Sequence, residues 1–154
     1  MPPCRENHFY QEHARLISRS FEKLLNKPLL PENTDKSEIG EALYFAPFAV
    51  VSHDTKADPV FNYANAKALA LFEMSWEEFI STPSRLSAEP VNQDERNRLL
   101  ALVSSQGYIN DYQGARISKH GRRFMIKNAV VWNLSDDDGI YRGQAAFFDE
   151  WLML

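Results

Sequence analysis

The sequence predicts an α+β domain: a five-stranded antiparallel sheet with short helices on one face and an N-terminal amphipathic helix. Three observations predict it. An apolar stripe at helical spacing runs through residues 5–26. Two short β-type runs then lead into a helical middle. Three longer β segments joined by turn signals finish the chain.

The first helix is read over 5–26, where Phe9, Tyr10, His13, Ile17, Phe21, Leu24 and Leu25 recur three and four residues apart. Pro28 and Pro31 end it, because proline cannot continue the hydrogen-bond ladder. The polar stretch 31–40 is a loop, and a short helix follows from Glu38 to Tyr44. After Pro47 the period changes. Phe48 to Val51 and Val60 to Tyr63 are short strands, separated by a turn that ends at Asp58-Pro59. Asn65 caps a helix running to Phe72, its side-chain oxygen accepting an orphan backbone N–H. Ser75-Trp76-Glu77-Glu78 fits a capping box that opens another short helix. The segment Asp94 to Ser105 reads as amphipathic, with Leu99, Leu100, Leu102 and Val103 inside and Asp94, Glu95, Arg96 and Arg98 outside; Gly107 stops it. Residues 108–118, 122–134 and 140–151 are the closing strands, with Lys119-His120-Gly121 and Asp136-Asp137-Asp138-Gly139 as their turns. By a period of two, Phe124, Ile126, Asn128, Val130, Trp132 and Leu134 share one face. The opposite face is only partly polar. Both faces are therefore expected to be covered, one by the short helices and the other by the N-terminal helix or a partner.

Composition narrows the function classes. At 154 residues, 44% apolar and 25% charged, the chain builds one ordinary core. A net charge of −4 argues against a nucleic-acid module. Cys4 is the only cysteine, so no internal disulfide forms and a reducing compartment fits. Neither a signal peptide nor a membrane span is read, and the cytoplasm is the expected location. No nucleophile-and-base motif stands out. His8 and His13 are five apart, on different faces of a helix, and no other spacing suits a metal. Asp136 to Asp138 read as a solvated turn. Neither catalytic nor metal-binding residues are assigned, and no enzymatic activity is expected.

Several of these segments resemble one family in the right order: DPVFNYANAKALALFEMSWEEF (58–79), PSRLSAEP (83–90), GYINDYQGARISKHGRRFMIKNAVVWNL (107–134) and GQAAFF (143–148). They are similar to the MEKHLA domain, a PAS-related family found alone in bacteria and at the C-terminus of plant homeodomain–leucine zipper factors. The resemblance runs over about residues 8–151. It implies a PAS-like fold and a sensory or interaction role, with a 1–45 helical extension preceding a 46–154 domain. No homeodomain or zipper is read in these residues, so DNA binding is not implied.

PAS relatives of the LOV class bind flavin and form a cysteine adduct at a motif that reads N-C-R-F-L-Q. Pro83-Ser84-Arg85-Leu86-Ser87-Ala88 resembles it, with Ser84 in the cysteine position. A serine hydroxyl supplies no thiolate, which excludes the adduct. Counted from the hairpin glycine Gly121, Arg116 and Ile126 stand where LOV domains use asparagines, and Gln144 is one residue from their glutamine. A flavin-binding redox sensor without adduct chemistry is accordingly the least favoured reading, and no cofactor is assigned.

Two readings lead. In the first, a sensory module binds a small polar or acidic ligand and signals by contact. The candidate pocket is Asn128, Arg116, Arg85, Tyr112 and Trp132. Asn128 interrupts an apolar strand face, so it is either satisfied by backbone or water or it reads a ligand. Arg116 either clamps a carboxylate or pairs with a nearby Asp or Glu. Arg85 binds an anion or pins its loop. Trp132, like Trp76 and Trp151, reads most simply as a core or sheet-face aromatic. In the second, a ligand-free module dimerises, or binds a protein partner, through Ile17, Phe21 and Leu24 on the first helix.

Overall fold

The computed structural model describes residues 1–154. Helices α1 (Gln11–Leu25) and α2 (Ile39–Tyr44) precede strands β1 (Ala49–His53) and β2 (Phe61–Ala64). Helices α3 (Ala66–Phe72), α4 (Trp76–Phe79) and α5 (Gln93–Gln106) form the middle. Strands β3 (Tyr108–Ile117), β4 (Arg123–Ser135), β5 (Tyr141–Phe148) and β6 (Glu150–Met153) close the chain. No helix is long and apolar enough to cross a membrane.

The strands pair antiparallel in the order β2-β1-β5-β4-β3. The sheet has six strands rather than five because the last expected strand breaks at Asp149. Its two pieces lie side by side along β4: β5 pairs with Val130–Ser135 and β6 with Phe124–Lys127.

The first helix is shorter than its stripe suggests. His8, Phe9 and Tyr10 all have left-handed backbone angles, with φ between 51° and 55°, so α1 begins only at Gln11. The Asn7 side chain explains part of this. It accepts from Cys4 N at 2.8 Å and donates to Pro2 O at 2.9 Å, offering the backbone an alternative to helix. The reversed segment is held by aromatic contacts: Phe9 against Phe45 and Tyr10 against Trp76, at 5.7 and 5.0 Å between ring centroids.

Helix α1 lies across the sheet face opposite the short helices. Ala14 and Ile17 are fully buried, and Phe21 packs edge-on against Trp132 at 5.0 Å. This corrects the dimer-interface reading. Ile17 and Phe21 are buried in the chain's own core, with Leu24 packed against it, so the stripe is spent on the sheet. Ser20 Oγ adds a polar anchor, donating to Ser135 O at 3.0 Å. His13 supplies another: its Nε2 lies 2.9 Å from Ser52 Oγ, which donates to Asn62 at 2.5 Å.

Between the layers, Asn65 ties three elements together. Its side-chain oxygen accepts from Ala68 N, capping α3, and from Val50 N at the start of β1, at 3.2 and 3.1 Å. Its amide nitrogen donates to Leu43 O and Phe48 O at 3.1 and 2.8 Å. A fully buried amide is tolerated here because every one of these bonds is made. Ser75 and Glu78 form the expected capping box at the start of α4.

Two expectations follow. Asn65→Ala leaves the Phe48 carbonyl and the Val50 N–H without their side-chain partner and uncaps α3, and should cost about 3 kcal/mol in urea unfolding; a loss typical of an exposed cap alone, about 1 kcal/mol, would show that water replaces the amide. Burial lowers the His13 pKa from 6.5 to about 4, so the folded protein keeps this ring neutral while the unfolded chain takes up a proton. The resulting stability is complete above the unfolded value near 6.5 and is lost as pH falls toward 4, a loss approaching about 3 kcal/mol. His53 is lowered too and acts in the same direction. Unfolding measured between pH 7 and 4 should show this decline, and His13→Phe should make it shallower.

Candidate functional site

The side-chain alternation of the sheet inverts at one level. Asp111 in β3 and Asn128 in β4 have φ of 55° and 51°, and the β3–β4 register slips at Tyr112 and recovers by Gly114. Each strand places an extra residue at that level, so pairing before and after is unchanged while the faces exchange. Phe124 and Ile126 therefore face the short helices together with Ala129 and Val131. Trp132 turns instead to α1.

On the helix-covered face the sheet lines a half-open cavity of about 80 Å³. Its wall is apolar: Val51, Phe61, Phe72, Ile126, Val131 and Phe148. Its polar lining comes from several elements. His53 ends β1, Ser84 and Ser87 belong to a 3₁₀ turn, Arg96 lies on α5, Tyr112 and Arg116 on β3, and Gln144 on β5.

Of the five pocket residues expected from the sequence, the cavity gathers Tyr112 and Arg116. Tyr112 OH donates to Glu95 Oε1 at 2.5 Å, and Arg116 Nη2 donates to Tyr112 OH at 3.1 Å. Arg116 also donates to Ala115 O at 2.8 Å and stands 3.9 Å from the Glu95 carboxylate. Burial first pushes the Tyr112 phenol up to about 12, so it stays protonated and can donate. Gly114 makes this geometry possible. The Tyr112 ring lies along the strand over it toward Arg116, and a Cβ at 114 would overlap the phenol oxygen.

The other three lie elsewhere. Asn128 is exposed and bonds Glu150 at 3.2 Å, because its left-handed backbone points it away from the interior. Arg85 is half exposed and pairs with Asp58 at 3.2 Å, pinning the surface loop. Trp132 is fully buried, but under α1, for the phase reason given above.

Arg96 is the residue the sequence reading assigned to the wrong side. It is 6% exposed, and the Ser84 hydroxyl is its only hydrogen-bond partner. No carboxylate lies within 4 Å of its guanidinium, whereas nine other ion pairs form across the molecule. Burial, then the neighbouring Arg116 charge, disfavour its cationic form. A signal was present: Arg96 stands three residues before Leu99 and seven before Val103, the two residues that α5 buries with it. Leu102, expected inside, is 42% exposed.

Gln144 also reaches the cavity, although its count from the hairpin glycine suggested the opposite face. Gly143, at φ 126°, sits where β5 slips register against β4, and this resets the alternation. Gly143 approaches the His53 carbonyl so closely that a Cβ there would collide with it. The Gln144 amide nitrogen donates to Leu100 O, Ser104 Oγ and Asn133 Oδ1 at 3.1–3.3 Å.

A flavin does not fit these residues. The cavity is far below the roughly 300–1,000 Å³ of pockets that enclose drug-sized ligands. Ser84 offers a hydroxyl committed to Arg96, and Cys4 lies outside the cavity.

Comparison with known proteins agrees with this architecture. The MEKHLA domain model matches residues 11–153, including α1. Among curated relatives, homeobox-leucine zipper protein ATHB-15 of Arabidopsis thaliana is 26% identical over 133 residues, covering 83% of this chain and 15% of that protein. Homeobox-leucine zipper protein HOX32 of Oryza sativa subsp. japonica is 24% identical over 143 residues, covering 90% of this chain and 16% of that protein. The chain thus spans about one sixth of either relative. Among solved structures, the PAS domain of a protein from Colwellia psychrerythraea superposes with a TM-score of 0.61 at 16% identity, covering 74% of this chain and 92% of that one. The light-state dimer of the fungal blue-light photoreceptor Vivid gives 0.60 at 16% identity, covering 87% and 93%. These likenesses bear on the fold, and the family match spans nearly the whole sequence: the chain belongs to the MEKHLA domain family, built on a PAS fold.

Proposed function

We propose that this MEKHLA domain is a sensory module that binds a small organic anion in the cavity between the sheet and α5. The observation that carries the reading is Arg96, a buried guanidinium with no carboxylate partner. A buried charge left unpaired costs several kcal/mol. A fold keeps such a charge where a ligand completes it, and strongly perturbed groups concentrate at such places. Arg116 stands beside it and is only partly balanced by Glu95, itself partly exposed. Two guanidiniums, the Ser84 hydroxyl and the Tyr112 phenol form one polar end. Apart from His53, Ser87 and Gln144, most of the remaining wall is hydrocarbon, which suits an organic anion with a short apolar part.

The interaction-module reading loses its main surface, since the stripe of α1 is buried against the sheet. A route to output remains within the sensory reading. Arg96 rides on α5, so charge neutralisation at the cavity acts directly on that helix.

Replacing Arg96 tests both halves of the argument. Arg96→Met keeps much of the side-chain length and removes the charge. It should leave stability unchanged or raise it by about 1–4 kcal/mol in urea unfolding, while abolishing the thermal stabilisation that small carboxylates give the parent protein. A variant destabilised like a core deletion, by about 3 kcal/mol or more, would make Arg96 a structural residue and end this reading.

A further inference from the structure

We propose that the anion is a short hydroxy acid, on the scale of glycolate or lactate, whose carboxylate meets Arg96 and whose hydroxyl donates to His53 Nε2. The inference rests on the anion-binding reading and adds the chemistry of the second contact.

His53 is 8% exposed and lines the cavity. Its Nδ1 lies 2.9 Å from Asp54 O, a pure acceptor, so Nδ1 carries the proton. Nε2 of the neutral ring is then an acceptor, and it is buried with no partner in the protein. The nearest amide does not supply a donor. The Gln144 nitrogen is taken by Leu100 O, Ser104 Oγ and Asn133 Oδ1, so it does not donate to the His53 ring. A group that meets this unpartnered nitrogen must therefore donate to it.

Charge decides which donor. An ammonium group would enter a space between Arg96 and Arg116, with no free carboxylate lining the cavity. Burial and the Arg96 charge already lower the pKa of His53, and the same field opposes any added cation. A hydroxyl donates without charge. Size decides the length. At about 80 Å³, against roughly 300–1,000 Å³ for pockets that enclose drug-sized ligands, the cavity suits a short chain rather than a nucleotide. The hydrocarbon wall of Val51, Phe61, Phe72 and Ile126 suits the C–H side of such a molecule.

Calorimetric titration of the full chain tests this with matched pairs: glycolate against acetate, and lactate against propionate. Methoxyacetate, alanine and inorganic phosphate complete the panel. Each hydroxy acid should bind about tenfold or more tightly than its deoxy partner, the worth of one well-made hydrogen bond. Methoxyacetate, which cannot donate, should bind no better than acetate, a comparison that needs no mutation. In His53→Phe the preference should fall to about twofold or less, with acetate affinity retained. Equal binding of glycolate and acetate would overturn the hydroxyl contact and leave the anion site standing. A glycolate preference that survives in His53→Phe would overturn the role of that ring. Phosphate or alanine binding more tightly than either hydroxy acid would overturn the ligand class. No binding by any anion would remove the anion-binding reading itself.

Discussion

The phase inversion across the last strands is the constraint on which the rest of the structure depends. Asp111 and Asn128 adopt left-handed backbone angles at adjacent levels of β3 and β4, and the β5–β6 break at Asp149 falls opposite Asn128. Without that row, strict alternation would place Trp132 and Val130 on the same face as Ile126. With it, β4 divides its large side chains between two layers. Its first half packs under α3, where Phe124 meets Phe72 at 5.2 Å; its second half packs under α1, where Trp132 meets Phe21. The small side chain of Ala129 then faces the middle of the helix-covered side, where the cavity opens. Asp and Asn are among the few residues that tolerate this conformation, through short side chains that bond locally.

The cavity and the core answer different physical demands. Across the α1 interface, hydrogen bonds anchor the helix, Ser20 to Ser135 and His13 to Ser52, while the neutral Trp132 Nε1 and Tyr63 OH are buried without partners. In the cavity, polar groups outnumber their partners. Arg96 has a single hydroxyl, His53 Nε2 has nothing, and Arg116 leans on a carboxylate 3.9 Å away. Glycine at two positions is what holds this arrangement together. Gly114 lets Tyr112 cross to Arg116, and Gly143 lets β5 close on the His53 carbonyl. Gly114 accommodates a cavity side chain, and Gly143 accommodates the backbone of the residue that carries another. Stability alone would not select them, because a glycine in a strand weakens it.

Much of the fold was legible in the sequence because its signals are local. Asn65 announced a cap, Ser75 and Glu78 a capping box, Gly107 the end of a helix, and the strand and helix order the architecture. What escaped was whatever depends on a single backbone angle. A left-handed residue leaves composition and period untouched, so Asn128 read as an inward polar residue when it marks the place where the strand turns over. The same blindness put Trp132 into the pocket and Gln144 out of it. Arg96 escaped for another reason. A charged residue on an amphipathic helix is normally solvent-facing, and that prior outweighed its spacing to Leu99 and Val103. The dimer stripe was a correct reading of an apolar face with the wrong partner. Periodicity shows that Ile17 and Phe21 must be buried, and cannot distinguish the chain's own sheet from a second copy.

Helix α5 links the cavity's unsatisfied chemistry to motion. Leu99 and Val103 pack with Val131 in a small cluster of their own, separate from the main core that holds α1, α3 and α4. Its remaining ties are largely polar: Gln144 to Leu100 O and Ser104, Asn133 to Val103 O, and Glu95 to Tyr112. Elements with few buried apolar contacts open at the low end of a protein's stability scale. The helix that carries the unpaired guanidinium is thus also weakly anchored. In the proposed reading an anion would bind most tightly to whichever position of α5 brings Arg96 and Arg116 together, and only that difference in affinity could shift the equilibrium between positions. Because Arg96 sits on the weakly anchored helix and Arg116 on the sheet, the free energy of neutralisation by a bound anion would be delivered across their interface.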